Sequence, residues 1–162
     1  MIQRIFGKSV RLAAVLFVGV ASLGAASPAS QFASLSRDKV FLREGPSYQY
    51  PVLWVYRRKD LPVRIIQSYD VWRKIRDNTG TTGWIHTSML SDRRTVLVTS
   101  QKPAKIRDKT GARGKVIALA QPGVVARLEA CEAETCEVNA SGTDGWIEKQ
   151  DIWGVGAGEV FR

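Results

Sequence analysis

The chain has 162 residues, with 24 Lys and Arg against 15 Asp and Glu, a net charge of +9 at pH 7. That length holds one ordinary domain or two small ones. Two cysteines and one histidine are too few for a structural zinc site built from four Cys and His ligands. The chain then reads as follows from its start.

Arg4, Lys8 and Arg11 form a basic lead without an acid, followed by the apolar run from Leu12 to Val20 and small residues from Ser22 to Ala26. This is the pattern of a secretory signal peptide, with cleavage after Ala26. The apolar run is shorter than the roughly 20 residues a spanning helix needs. We therefore expect an exported protein, periplasmic or secreted, with no transmembrane anchor after cleavage. The remaining 136 residues carry 21 basic and 15 acidic side chains, a charge of +6. That balance favours anionic partners such as wall polymer, anionic lipid or acidic protein. Nucleic acid is disfavoured by the compartment.

Residues 27–36 are small and polar and read as a mobile lead. From there the chain is strand-like. Val40 to Arg43 is stopped by Gly45-Pro46. Val52 to Tyr56 is rich in residues that suit a pleated surface, and Leu61 to Ile66 follows. In Val71 to Arg76 the residues alternate, with Trp72, Lys74 and Arg76 on one face and Val71, Arg73 and Ile75 on the other. Asp77 to Gly80 is a turn, Gly83 to His86 returns, and Thr87 to Leu90 forms one helical turn. Arg94 to Val98 reads as the closing strand of this first unit.

The order then repeats. Ala104 to Arg107, Lys115 to Ala120, Val124 to Ala130, Cys136 to Asn139 and Gly145 to Glu148 are strands. Lys149 to Ile152 mirrors Thr87 to Leu90. No 3.6-residue apolar period appears after the leader, so the fold class is all-β, small barrels or sandwiches. Leu42-Arg43 precedes Trp84 by 42 residues, and Ile106-Arg107 precedes Trp146 by 40. A period of about 60 residues means two copies of one small unit. The domains are 1–26 signal peptide, 27–36 lead, 37–98 first unit and 99–162 second unit with a tail. Each unit is marginal alone, so we expect the two to pack together.

An apolar-Arg pair, a Gly or Pro turn, and Gly-Trp-Ile about 40 residues later resemble the bacterial SH3-like (SH3b) family. More narrowly, the chain resembles the tandem, exported members of Gram-negative bacteria, over residues 38 to about 156. The resemblance implies five-stranded, strongly bent barrels. It implies a binding module rather than an enzyme, since the repeats leave no space between residues 38 and 156 for a catalytic domain. Trp84 and Trp146 are expected to close the barrel cores.

Cys131 and Cys136 suit facing positions of a tight hairpin, and an exported protein favours their disulfide. Aligning the copies on their tryptophans sets Ser68 against Cys131 and Arg73 against Cys136. His86 has no catalytic partner in any motif and reads as a surface residue. Tyr48 and Tyr50 lie between Pro46 and Pro51, where no alternation buries them. They are either tucked over the barrel end or, with Tyr69 and Trp72, a ligand surface of the aromatic kind that takes extended peptides. Arg57 and Arg58 are solvated turn residues or holders of an anionic polymer. The expectation is a non-enzymatic periplasmic module, with no cofactor and no metal. Its ligand would be a peptidoglycan peptide, an anionic polymer or an envelope protein. The alternatives are a structural spacer in the envelope, a wall hydrolase or a thiol oxidoreductase.

Overall fold

The computed structural model describes residues 31–111 and 113–162. The expected signal peptide lies outside the described residues. The first seven strands are β1 (Phe32–Leu35), β2 (Val40–Arg43), β3 (Val52–Tyr56), β4 (Pro62–Tyr69), β5 (Trp72–Arg76), β6 (Thr82–His86) and β7 (Leu90–Ser91). The next seven are β8 (Thr95–Val98), β9 (Ala104–Arg107), β10 (Val116–Ala120), β11 (Val125–Cys131), β12 (Thr135–Ala140), β13 (Thr143–Glu148) and β14 (Ile152–Trp153). A 3-10 turn, Thr87–Met89 or Lys149–Asp151, follows the sixth strand of each set. Among the described residues no helix is long and apolar enough to cross a membrane.

Two antiparallel sheets result, ordered β3-β2-β6-β5-β4-β1-β7 and β10-β9-β13-β12-β11-β8-β14. The second order is the first with seven added to each strand. Even the irregularities repeat. The pairing shifts between Ile65 and Gln67 and between Leu128 and Ala130. It shifts again where β3 meets β2 and where β10 meets β9. Bulges at matched sites bend both sheets alike around a small core.

The two halves of the repeated motif meet at one seam. Arg43 stands opposite Trp84, and Arg107 opposite Trp146. A Cβ on Gly83 would lie 2.6 Å from Leu42 Cγ and 2.8 Å from the Arg43 carbonyl oxygen. On Gly145 it would lie 2.5 Å from Ile106 Cγ2 and 2.7 Å from the Arg107 carbonyl. The backbone half of each clash cannot move aside cheaply, so glycine is required for this approach.

Trp84 is buried as expected, at 8% exposure, whereas Trp146 is half-buried, and neither is at the centre of its unit's core. Ile85 and Ile147 are, at 0% and 1% exposure, packed with Val40, Leu42 and Ile75 in one unit and with Ile106, Val138 and Val96 in the other. Trp84 and Trp146 lie on the opposite face by the period-two rule, across from Lys74 and Glu137. Each core isoleucine contributes roughly 1.5–3 kcal/mol by burial.

Two boundaries move. Residues 32–35, read from sequence within a mobile lead, form β1, and Leu35 is fully buried. Backbone bonds fix this strand: the Leu35 amide donates to the Leu61 carbonyl, and the Ser36 amide to that of Met89. The strand at Thr95–Val98 does not close the first unit. It pairs with β11 and β14 of the second, in the role β1 plays beside β4 and β7. The count is therefore seven strands per sheet, because the opening strand and the two-residue closing strand add to the expected five.

Residues 92–94 connect β7 to β8, which forces the units into contact. The Thr95 hydroxyl, in a residue 3% exposed, donates to the Asp60 carbonyl at 2.8 Å. Arg58 Nη1 donates to the Gly123 carbonyl at 2.7 Å. Phe32 meets Trp153 edge-on, with ring centroids 5.3 Å apart. The Cys131–Cys136 disulfide is formed between directly paired, fully buried residues with a Cα separation of 4.1 Å. Ser68 and Arg73 face each other at the matching register of β4 and β5. The tail docks through reciprocal backbone bonds between Cys131 and Phe161 and an Arg94–Glu159 ion pair of 2.7 Å. Burial alone would raise the Glu159 carboxyl. The Arg94 hydrogen bond, the Gly156 amide and the charges of Arg94 and Lys149 outweigh it and hold that carboxyl below the ordinary glutamate value.

Contacts this direct couple the units, so calorimetry of the whole chain should show a single unfolding transition. Two well-separated peaks would show independent domains.

Candidate functional site

Beside the first seam the chain leaves β2 as a loop, residues 44–51, before β3 begins. Arg43 holds that loop from inside. Its Nη1 donates to the carbonyls of Tyr48 at 3.0 Å and Tyr50 at 2.8 Å. Hydrogen bonds from a charged donor contribute about 1.5–3 kcal/mol each. Ser47 tightens the loop by donating its amide to the Gly45 carbonyl and accepting the Tyr50 amide. A Cβ on Gly45 would lie 2.6 Å from three ring atoms of Tyr50, so the Tyr50 ring rests directly on that glycine.

The folded loop lays Tyr48 against the outer face of the sheet. Its ring meets Trp72 edge-on at 5.0 Å and stacks on His86 at 5.7 Å and 23°. Trp72 and His86 are themselves edge-to-face at 5.3 Å. They belong together because they face each other across β5 and β6. The Arg43 guanidinium lies 5.5 Å from the Tyr48 ring centroid. The cluster therefore has a buried base, Trp72 at 6% exposure, and an exposed top, Tyr48 at 66%.

Tyr69 stands opposite Trp72 at the end of the β4–β5 hairpin and is 61% exposed. With Pro46, Ser47, Gln49 and Tyr50 it lines an open depression of about 440 Å³. Four of the six residues named from sequence, Tyr48, Tyr50, Tyr69 and Trp72, thus come together. Arg57 and Arg58 do not. They follow the far end of β3, about 17 Å of strand from Val52, and Arg58 is engaged with the second unit through Gly123.

Two members of the cluster were not selected from the sequence. Arg43 was visible as the repeated Arg of the apolar-Arg motif, a signal read for fold alone. His86 was read as a surface residue without a partner. In the structure its Nδ1 lies 2.8 Å from the Ser88 hydroxyl and accepts the Ser88 amide at 3.2 Å. One nitrogen bonding both groups two residues on is the geometry of a cap on the Thr87–Met89 turn. Among the described residues, no cluster of three or more His, Cys, Asp and Glu could hold a metal ion.

The second copy keeps the frame and loses the aromatics. Arg107 Nη1 donates to the Gly114 carbonyl at 2.7 Å, tying the matching loop. At the site of Tyr48 on Trp72 stands Thr110 beside Thr135, with hydroxyls 3.0 Å apart. Glu148 occupies the register position of His86, opposite Thr135.

The geometry agrees with comparison to known proteins. The family model of the bacterial SH3 domain matches residues 36–92 and 100–154. No curated protein matches the chain. Among solved structures it is similar to NlpC2 from Trichomonas vaginalis, with 13% identity and a TM-score of 0.35 over 79% of this chain and 49% of that one. NlpC1 from Trichomonas vaginalis gives 15% and 0.34 over 82% and 49%. An NlpC/P60 family protein from Bacillus cereus gives 12% and 0.34 over 75% and 55%. The chain spans about half the length of these proteins, and likeness at this level carries no argument about activity. The family match covers both repeats, and the chain belongs to the bacterial SH3 domain family as a tandem member.

Proposed function

We propose that the chain is an exported, non-catalytic binding module of the cell envelope. Its first barrel would take an extended peptide, such as the peptide of the wall polymer, across Tyr48, Tyr50 and Tyr69. The observation that carries this reading is the aromatic surface itself. Tyr50 and Tyr69 line a depression, exposed Tyr48 lies in the same loop as Tyr50, and Arg43 and Gly45 pre-shape that loop. Such rings offer large contact area with few rotamers to freeze, which favours binding. The disulfide and the family are consistent with an extracellular or periplasmic site. The second barrel, with threonines where the first has tyrosine and tryptophan, would support the first.

A protein partner is the second reading. On the edge strand β3, Leu53 and Trp54 are 52% and 58% exposed. An unpaired edge with such side chains invites an added strand.

Retention on purified peptidoglycan at low and high salt tests the first reading. The native chain should be retained at both. Tyr50→Ala and Tyr69→Ala should each reduce retention about tenfold while shifting the melting temperature by less than about 2 °C, because both residues are exposed and outside the core clusters. A native chain that is not retained at either salt contradicts the wall reading. A protein neighbour crosslinked in cells would then support the second. Variants that lose several degrees would show the rings to be structural.

Arg43→Met should keep the fold but free the loop, since it removes the one nitrogen, Nη1, that donates to both loop carbonyls. Amide exchange of residues 45–50 should rise about tenfold or more, equivalent to about 1.4 kcal/mol, and retention should fall with it. Unchanged exchange would mean that the loop holds its shape without Arg43.

A further inference from the structure

A second cavity lies at the boundary between the two units. It has a volume of about 720 Å³, and residues of β1, β4, β5 and the C-terminal tail line it. Ligand sites favour such boundaries between domains, and the volume is within their usual range.

Its charges do not balance. Arg64 of β4 stands directly opposite Arg76 of β5, and both line the cavity. Like charges facing across a ladder are destabilising. No carboxylate answers them. Arg64 donates only to the neutral side chain of Gln31, through Nε and Nη2. Among the described residues the Arg76 guanidinium has no hydrogen-bond or ion-pair partner. Asp77, next in the chain, already accepts from Tyr56, Thr79 and the Thr81 amide. Glu159, the one carboxylate in the lining, is bound to Arg94 and the Gly156 amide.

The rest of the wall suits an uncharged body. Phe32 and Trp153 form an aromatic corner. On the tail side a Cβ added to Gly158 would meet nothing within 4 Å.

We propose that this cleft is a binding site for an anionic ligand, its carboxylate or phosphate held by Arg64 and Arg76 and its apolar part laid against Phe32 and Trp153. The site is separate from the tyrosine surface and does not depend on it. The Arg76 guanidinium can bind such planar or tetrahedral anions bidentately, and Arg64, whose Nε and Nη2 are on Gln31, adds Nη1 and its charge.

The test is a titration of the isotope-labelled full chain, followed by amide chemical shifts. The probes are N-acetylphenylalanine, phenyl phosphate and the uncharged N-acetylphenylalaninamide. We expect saturable shifts at residues 31–33, 76 and 154–158 with at least one anion, and at least tenfold weaker binding of the amide. A response to the carboxylate alone assigns the site to carboxylate ligands, and to the phosphate alone, to phosphate ligands. Arg76→Gln should weaken binding at least tenfold, and Arg76→Glu should abolish it. Neither should lower the melting temperature, because both remove the facing charges. Arg64→Gln gives the same reading from the other strand should an Arg76 variant fail to fold. Tyr50→Ala should leave this binding unchanged. No shift with either anion, equal binding of the amide, or full affinity in Arg76→Gln and Arg64→Gln would overturn the proposal.

Discussion

Each barrel depends on one close approach of two strands. At Gly83 and Gly145 the sixth strand of each set comes so near the second that a methyl group would meet both a core side chain and a backbone carbonyl. That approach sets the isoleucine after each tryptophan into the core. It also places the arginine of the apolar-Arg pair at the mouth of the following loop. From there the guanidinium reaches loop carbonyls in both copies. The seam therefore fixes the shape of a loop as well as the closure of a sheet.

Because the frame does this twice, the copies are free to differ in what the loop carries. In the first, the loop presses an aromatic ring on a tryptophan and a histidine. In the second, the same site holds a pair of hydroxyls, and the matching hairpin is closed by a disulfide. For a loop this short the cross-link contributes about 2 kcal/mol through chain entropy. The tail that bridges Cys131 extends the second sheet and, through Glu159 and Arg94, helps wall the boundary cleft. The exposed tyrosines and the cross-link thus lie in different copies of one design, which the direct contacts at Thr95, Arg58 and Phe32 join.

Much of this was legible in the sequence because it rests on local rules. Strand alternation, turn residues and the paired motifs led to two all-β units in the bacterial SH3 pattern, and the alignment on the tryptophans set Ser68 and Arg73 against the cysteines. What was missed depends on contacts distant in the chain. Phe32-Ala33-Ser34-Leu35 has a weak strand pattern, and its backbone bonds to Leu61 and Met89 make it one. Thr95–Val98 reads as a strand, but nothing local says which sheet it joins. Gly83-Trp84-Ile85 puts two large apolar residues side by side, and only the pairing with β5 shows which faces inward. Of the site, Tyr48 and Tyr50 were legible from their place between two prolines. His86 was not, because its neighbours come from three separate segments. The facing arginines could have been found only from the register of β4 on β5.

The central claim is that a shared frame carries a ligand surface in the first copy alone. An amide chemical-shift map of the full chain, titrated with soluble peptidoglycan fragments, tests it most directly. The account predicts shifts clustered at residues 44–50, at Tyr69 and Trp72, and at His86, with residues 108–111 and 132–135 unmoved. Shifts of equal size at the matching sites of the second copy, or confined to it, would contradict the account.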